Sequence, residues 1–458
     1  MIDIKEFKKF HFIGIGGIGM SALAQILLDK GCQVSGSDIK PSDITDNLSV
    51  SGAVIYNKHE ASNVVGCDVV VYTAAVSDEN PEIIQAKNEG IPLLSRADLL
   101  GILMKDQPHS IAVSGTHGKT TTTSMVSLIL EGSGFDPTIL VGGNLPQING
   151  NVKIGKGDFF VTEACEYRDS FLSMRPNVEI ILNIDSDHLD YFKDIEHIAN
   201  SFSRFASLVP ENGLVVAYAA NVFVAEVIKN LNCKVVTFGF SSAFDYSAEE
   251  LRFDSNGLPS FNVYHKGELL TRIQLAVPGE HNVSNALASF ACTHSLGAPI
   301  EKIKETLEAF TGTQRRFDSI GTTVKGAKII DDYAHHPTEI KATLNAASNV
   351  PHKKLWCIFQ PHTYTRTLAL FDEFASAFTK ADPIILADIY AARERNIYKI
   401  SSEDLANRIK TLYPEKQVKY FETFEEIAEY VSENSEKDDL VITMGAGDVY
   451  KISHMIKA

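Results

Sequence analysis

The sequence has no C-x-x-C pair, no long apolar run and a deficit of positive charge, and each absence removes a class of protein. Its six cysteines stand at positions 32, 67, 165, 233, 292 and 357 of 458 residues. Thiols scattered in this way fit a reducing, cytoplasmic setting and argue against a disulfide scaffold or a cysteine zinc site. No apolar run approaches the roughly 20 residues that cross a bilayer, and the opening Met-Ile-Asp-Ile-Lys-Glu is not expected to act as a secretory leader. Against 58 Asp and Glu the chain sets only 42 Lys and Arg, a net charge of −16. Such a surface repels nucleic acid and anionic membranes. Any phosphate bound here must be met by local amides, cations or a metal ion.

What is present is ordinary globular material, with 44% hydrophobic residues, 30 Gly and 16 Pro. Single cores stop growing at about 250–300 residues, so the length predicts two or three domains. Short apolar runs at Lys9 to Ile13, Asp68 to Tyr72 and Ile91 to Leu94 alternate with helical spacing such as Leu23, Ile26 and Leu27. That alternation predicts a parallel sheet with covered faces. The polar stretch Lys105-Asp106-Gln107-Pro108-His109 suits a linker, and a second strand–helix unit opens at Ser110. Between about 235 and 277 the texture shifts to short alternating runs that read as antiparallel hairpins. Strand–helix alternation resumes near Lys328 and continues to Met444. The expected division is 1–106, 107–313 and 314–458, all of α/β character.

Gly115-Thr116-His117-Gly118-Lys119-Thr120-Thr121 follows a strand and precedes an apolar helix, the setting a phosphate-binding loop requires. Glycines let amides turn to the anion, the helix N-terminus adds partial positive charge, Lys119 reaches the β and γ phosphates, and Thr120 can ligate Mg²⁺. The strict spacing of such loops would place glycine at 113, where this chain has Val113, so the loop is a variant. Near the N-terminus, Gly14-x-Gly16-Gly17-x-Gly19 with Asp38 further on has the shape of a dinucleotide fingerprint. NAD, FAD and a nucleotide sugar all carry the pyrophosphate and ribose it would meet, and tight packing alone also uses glycines.

Further polar clusters stand where strands end, the edge at which open α/β sheets bind ligands. Glu163-Ala164-Cys165-Glu166 follows Phe159 to Val161, and Asp185-Ser186-Asp187-His188 follows Glu179 to Leu182. Glu163 and His188 could flank the phosphate loop and hold Mg²⁺, although that ion prefers oxygens. Asn282 and Asn285 share one face of a helix opening, suited either to a nucleobase or to capping. Arg315-Arg316-Phe317 at the second boundary offers a fixed cation or a surface ion pair. Asp331 to Pro337 and Gln360 to Thr367 are the last two clusters. Their histidines lack the spacing of a zinc site.

Taken together, these segments resemble the Mur ligases, ATP-dependent amide-forming enzymes of peptidoglycan precursor synthesis, over essentially the whole chain. The resemblance implies a Rossmann-like N-terminal domain for a UDP sugar, a central P-loop-type ATPase domain with an antiparallel β portion, and a Rossmann-like C-terminal domain for an amino acid. It implies ATP with Mg²⁺, the small-molecule substrates UDP-N-acetylmuramate and L-alanine, no nucleic-acid or membrane partner, and a monomer or weak homodimer. Carried over by position, Gly14, Gly16, Gly17, Gly19, Met20, Asp38 and Thr73 would meet the UDP sugar. Gly115 to Thr121, Asn282, Asn285, Arg316 and Asp332 would serve ATP, while Thr120, Glu163 and His188 would hold the metal. His335, His362 and Arg366 would face the substrate carboxylate and the amino acid, with Lys119, His335 and Arg366 carrying the catalysis. The family pattern often has Asp where Cys165 stands and Arg where Thr363 stands. The first departure leaves a metal role at 165 open, and the second removes one cation.

On this reading a carboxylate attacks the γ-phosphoryl group, and an amine then displaces phosphate from the acyl phosphate. Lys119, Arg316 and Mg²⁺ supply charge where the anions meet, and His335 is the candidate proton acceptor. The competing readings are a nicotinamide oxidoreductase built on the first glycine turn, an ATP-gated partner switch, and a recycling ligase that adds a ready-made tripeptide. An oxidoreductase would leave the second phosphate loop without a task.

Overall fold

The computed structural model describes residues 4, 6–73, 76–105 and 107–458. Most of the opening residues and Asp106 of the expected linker lie outside the described residues.

Three sheets follow one another along the chain. The first holds five parallel strands in the order Val54–Tyr56, Gln33–Ser37, Lys9–Ile13, Val69–Tyr72 and Leu93–Ser95. The order reverses direction at Lys9–Ile13, and there the glycine turn opens into the helix Ile18–Asp29.

The second sheet has ten strands. At its centre His109–Ser114 lies between Phe159–Glu163 and Val178–Ile181, all parallel, so the polar segments after these strands emerge at one edge. Leu214–Tyr218 and Lys234–Gly239 extend it in parallel to a flap in which Tyr246–Phe253, Pro259–His265 and Glu268–Gln274 pair antiparallel, and its other edge ends in the antiparallel pair Thr138–Leu145 and Gly150–Lys153. The expectation of hairpins from about 235 is therefore corrected. Lys234–Gly239 pairs parallel to Leu214–Tyr218 because the helix Val222–Ile228 carries the chain back between them.

The third sheet runs Asp318–Thr322, Lys328–Asp332, Leu440–Met444, Leu355–Phe359, Ile384–Leu386, Val418–Tyr420, with only its first pair antiparallel. The expected α/β class with three successive units is what the chain adopts.

How the units meet differs at the two junctions. The helix Arg96–Lys105 buries Leu99 to Met104, and these residues share one apolar core with Phe171, Phe202 and Phe205 of the second unit. Gly101 is needed at this seam, since a Cβ there would lie 2.0 Å from Ser173 O. The third unit keeps cores of its own around Phe359 and Trp356. Its contacts with the second unit at the site described below are hydrogen bonds and ion pairs, as in domain interfaces that open. No helix among the described residues is long and apolar enough to cross a membrane.

Candidate active site

The strand His109–Ser114 passes through Gly115-Thr116-His117-Gly118 into the helix Lys119–Gly132, which has no side-chain N-cap. Its first amides are left for an anion. Gly118 has φ +88°, and a Cβ there would sit 2.6 Å from Asn285 Oδ1, so the turn closes only with glycine. Asn183, from the segment after Val178–Ile181, staples the loop. Its Oδ1 accepts from His117 N (2.8 Å), its Nδ2 donates to His117 O (3.0 Å), and its carbonyl accepts from Thr116 N (3.1 Å).

Lys119 is folded onto the loop. Its Nζ donates to Gly115 O (2.5 Å), Thr116 O (3.1 Å) and both oxygens of Glu166 (3.1 and 2.8 Å). Burial favours the neutral amine, but the Glu166 charge outweighs it and raises the lysine pKa. Thr120 and Glu163 lie against the same backbone: Glu163 Oε1 accepts from Gly142 N (2.6 Å), and a Cβ on Gly143 would meet Thr120 Cγ2 at 3.3 Å. The carboxylates within ion-pair distance of His188 are Asp187 (Nε2–Oδ2 3.8 Å) and Glu166 (Nε2–Oε1 3.9 Å), not Glu163. Burial lowers the His188 pKa against the pull of Asp187 and Glu166, which favours a neutral imidazole.

A cavity of about 680 Å³ opens beside Gly118. His117, Gly118, Thr121, Asn282, Asn285, Arg316 and Asp332 line it, as do Tyr218, Phe223 and Phe240. Asn282 Nδ2 donates to Pro278 O (2.8 Å), and Asn285 Nδ2 to Asn282 Oδ1 (3.2 Å), so the pair is held in one orientation. Asp332 accepts from Ala334 N (2.7 Å) and Phe317 N (2.8 Å), while the Arg316 guanidinium lies 5.0 Å from the centre of the Tyr333 ring. Burial lifts the Asp332 pKa to about 6 against the Arg316 charge. Arg315, by contrast, is structural: it binds Asp331 (3.1 Å) and the carbonyls of Gly445 (2.7 Å) and Gly447 (3.2 Å).

A second cavity, of about 920 Å³, lies between the second and third units. Tyr167, Arg168, Asp187 and His188 form one wall, and His362, Thr363, Arg366, Tyr390 and Arg393 the other. Arg366 crosses the gap, donating through Nε (3.1 Å) and Nη2 (3.0 Å) to Asp187 Oδ1. His362 stacks on Tyr390 with ring centres 5.5 Å apart, and burial with the nearby His335 and Arg366 pushes its pKa down to about 4. His335 lines neither cavity; its Nδ1 meets Tyr333 O (3.0 Å), and its ring stands 5.9 Å from that of His362. The same Nδ1 lies 3.2 Å from Glu339 Oε2; in the neutral ring with Nδ1 donating, Nε2 is the acceptor.

Between the cavities the units are tied by a polar network. His117 pairs with Asp185 (Nε2–Oδ2 3.3 Å) and with Glu339 (Nδ1–Oε1 3.3 Å). Thr338 Oγ1 donates to Asp185 (2.8 Å), and His336 Nε2 meets Ser186 O (2.9 Å). Burial favours neutral His117, but its two carboxylate hydrogen bonds prevail and hold its pKa at about 9. Among the described residues, His117, Asp185 and His336 are close enough together to share a metal ion. Their nitrogens already have hydrogen-bonding partners, so this group is a latch between units.

At the first sheet, Gly14 N and Ile15 N donate to Ser37 O (2.8 and 3.1 Å), and Gly17 caps the helix with no side-chain hydrogen bond to its first amides. Asp38 does not reach outward. Its Oδ2 accepts from Gly16 N (2.9 Å) and its Oδ1 from Lys40 N (3.1 Å), so it shapes the turn. A Cβ on Gly14 would meet Thr73 Cγ2 at 3.1 Å, which places Thr73 over the turn, and Met20 is buried beneath it. Arg96 lies against Gly19, with Nη1 3.1 Å from where a Cβ would stand. Sequence reasoning missed Arg96, and also Asn183, Glu339 and the aromatic wall of the first cavity. The only available signal was Glu339 four residues after His335.

Residues 9–108 of the chain match the Mur ligase family catalytic domain, residues 113–293 the Mur ligase middle domain and residues 315–447 the Mur ligase glutamate ligase domain. The UDP-N-acetylmuramate–L-alanine ligase of Caldanaerobacter subterraneus subsp. tengcongensis is 52% identical over 451 residues, covering 98% of this chain and 97% of that protein. The crystal structure of UDP-N-acetylmuramate-alanine ligase from Thermotoga maritima superposes with a TM-score of 0.82 at 32% identity, covering 98% of each chain. A murein peptide ligase from Psychrobacter arcticus superposes with a TM-score of 0.73 at 25% identity, covering 98% of this chain and 97% of that one.

Proposed function

The chain belongs to the Mur ligase family, and from that premise we propose that it joins L-alanine to the lactyl carboxylate of UDP-N-acetylmuramate, converting ATP to ADP and phosphate. One observation carries the reading. The phosphate loop stands between two cavities, Gly118 facing the first, while Lys119 pairs with Glu166, which contacts His188 on the wall of the second. A nucleotide in the first cavity would thus present its terminal phosphate toward the second.

In this reading residues 1–106 bind the UDP sugar on the Gly14–Gly19 turn, residues 107–313 bind ATP, and residues 314–458 bring the amino acid. Tyr218, Phe223 and Phe240 take the adenine face, with Asn282, Asn285, Arg316 and Asp332 at its polar edge. Thr120 and Glu163, adjacent along the Gly142-Gly143 backbone, supply oxygen donors of the kind Mg²⁺ prefers, while His188, a further candidate ligand, stands beside Glu166. Bound there, Mg²⁺ would neutralise phosphate charge.

The lactyl carboxylate oxygen attacks the γ-phosphorus, ADP leaves, and the alanine amine attacks the acyl carbon to expel phosphate. Lys119, released from Glu166, holds the transferring group, and Arg366 with His362 orients the carboxylate end of the second cavity. His335 Nε2 takes the amine proton. The recycling ligase remains the nearest alternative.

ADP release measured with each of L-alanine, L-serine, glycine and the tripeptide, with and without UDP-N-acetylmuramate, tests the reading. Turnover should require the sugar nucleotide and be fastest with L-alanine. Turnover with the tripeptide but not with alanine would overturn it.

A further inference from the structure

We propose that Arg168 receives the carboxylate of the incoming amino acid and so makes the enzyme select an α-amino acid over its uncharged amide; this deepens the function proposed above and rests on it. An amino acid enters as a zwitterion, and its carboxylate leaves water only for a cation whose charge is not already compensated. The second cavity offers three arginines. Arg366 is compensated by its double hydrogen bond to Asp187. On the wall beside it, Thr363 and Thr365 contribute only hydroxyls, 3.1 Å apart.

Arg168 is different. Among the described residues no carboxylate lies within ion-pair distance of it, and its guanidinium rests 5.4 Å from the centre of the Tyr167 ring. Tyr167 in turn packs against His188, with ring centres 4.7 Å apart and planes tilted by 37°, so arginine, tyrosine and histidine lie in contact along the cavity wall. The carboxylates nearby are occupied: Asp190 accepts from Tyr167 Oη (2.8 Å) and Glu394 from Thr365 N (2.9 Å).

The backbone that presents Arg168 is built for one position. Arg168 and Asp169 are consecutive non-glycine residues at φ +53° and +57°. Such a turn costs free energy and persists only where neighbours fix it. Here Asp169 N donates to Glu166 O (2.9 Å), Tyr191 Oη donates to Asp169 (3.0 Å), and Ser201 holds the same carboxylate. Arg168 therefore stands two residues from Glu166, the partner of Lys119. A carboxylate held by Arg168 keeps its amino group near the phosphate loop. Arg393, also without an ion-pair carboxylate among the described residues, belongs to the opposite wall beside Glu394.

Steady-state kinetics with L-alanine and L-alaninamide test the assignment. Arg168 is exposed, and circular dichroism checks the fold of each variant. Arg168→Ala should raise KM for L-alanine about tenfold or more, leave KM for ATP and UDP-N-acetylmuramate within about twofold, and erase most of the preference for alanine over alaninamide. Arg168→Lys should recover part of that preference, and Arg393→Ala should leave it unchanged. An unaltered preference in Arg168→Ala, or its loss in Arg393→Ala instead, would overturn the assignment. So would a rise confined to KM for UDP-N-acetylmuramate, which would give Arg168 to the lactyl carboxylate. Wild-type enzyme that uses no amino acid would overturn the function itself, and this inference with it.

Discussion

Lys119 Nζ lies 2.8 Å from Glu166 Oε2, an ion pair in which the lysine side chain is 16% exposed and the glutamate 3%. A pair so buried is costly to break from one side, because the remaining charge has lost both water and partner. Lys119→Ala should therefore do two things. Turnover should fall at least about a hundredfold, since the cation meeting the phosphates is gone. Stability should also fall, by about 3 kcal/mol, because Glu166 is left alone. Adding Glu166→Gln should restore most of the melting temperature and none of the turnover. Thermal denaturation beside an ADP-release assay separates the two effects, and a double variant no more stable than the single one would show that Glu166 does not depend on Lys119.

Local signals made part of the fold legible. The junctions Gly14–Gly19 and Gly115–Lys119 were readable because strand, glycine turn and helix follow one another within about twenty residues. Pairing was less so. Lys234–Gly239 alternates like a hairpin strand, and only its parallel partner Leu214–Tyr218 decides otherwise. Contacts between units were out of reach. Asp187 and Arg366 are 179 positions apart, and nothing in either segment names the other. Glu163 meets Gly142 because the strand Thr138–Leu145 lies beside its own, and the carboxylates near His188 are Asp187 and Glu166 instead. Arg168 had no periodic signal at all, since it sits in a left-handed turn.

The latch between the second and third units should respond to pH through His117. Its folded pKa is held up at about 9, above the ordinary value near 6.5. A raised histidine stabilises fully below its unfolded pKa, and that stabilisation is lost as pH rises through the folded one. For a side chain 14% exposed the effect is at most about 3 kcal/mol. Wild type should thus be more stable than His117→Gln at pH 6, with the difference shrinking from pH 7 and gone by about pH 10. Parallel melting curves across that range would refute the latch.

Glu179 gives a second window of opposite origin. It is fully buried on the strand Val178–Ile181, with Oε1 accepting from Ser114 Oγ (2.8 Å) and Oε2 without a partner. Burial pushes its pKa up to about 8, against the hydrogen bond from Ser114. The folded chain therefore holds a proton that the unfolded chain releases near pH 4.3. Stability on this account falls as pH rises from about 4.5 to 8 and is level beyond. Glu179→Gln keeps the acceptor and removes the titration. It should match wild type near pH 4.5 and exceed it by a few kcal/mol at pH 8.5. A variant less stable than wild type at both values would mean that the carboxyl is charged and partnered in the folded chain.

The order of bond making is open to direct capture. If the lactyl carboxylate is phosphorylated before the amine attacks, enzyme with ATP, Mg²⁺ and UDP-N-acetylmuramate but no alanine should accumulate an acyl phosphate. The second cavity is bounded by two units joined through Arg366 and Asp187, so the reactive mixed anhydride should form where water is restricted. Hydroxylamine, small and strongly nucleophilic, should enter the amine's place and leave a hydroxamate on the sugar nucleotide. The product should require ATP, be absent in Lys119→Ala, and be suppressed by L-alanine, which competes for the same carbon. Arg168→Ala should leave trapping intact while weakening that suppression, because hydroxylamine carries no carboxylate for the arginine to hold. The leaving group decides between the two possible activations. Phosphoryl transfer releases ADP at the first step and phosphate at the second, whereas adenylation would release pyrophosphate. Pyrophosphate formed in step with ligation would refute the acyl phosphate, and with it the role given to Lys119 at the terminal phosphates.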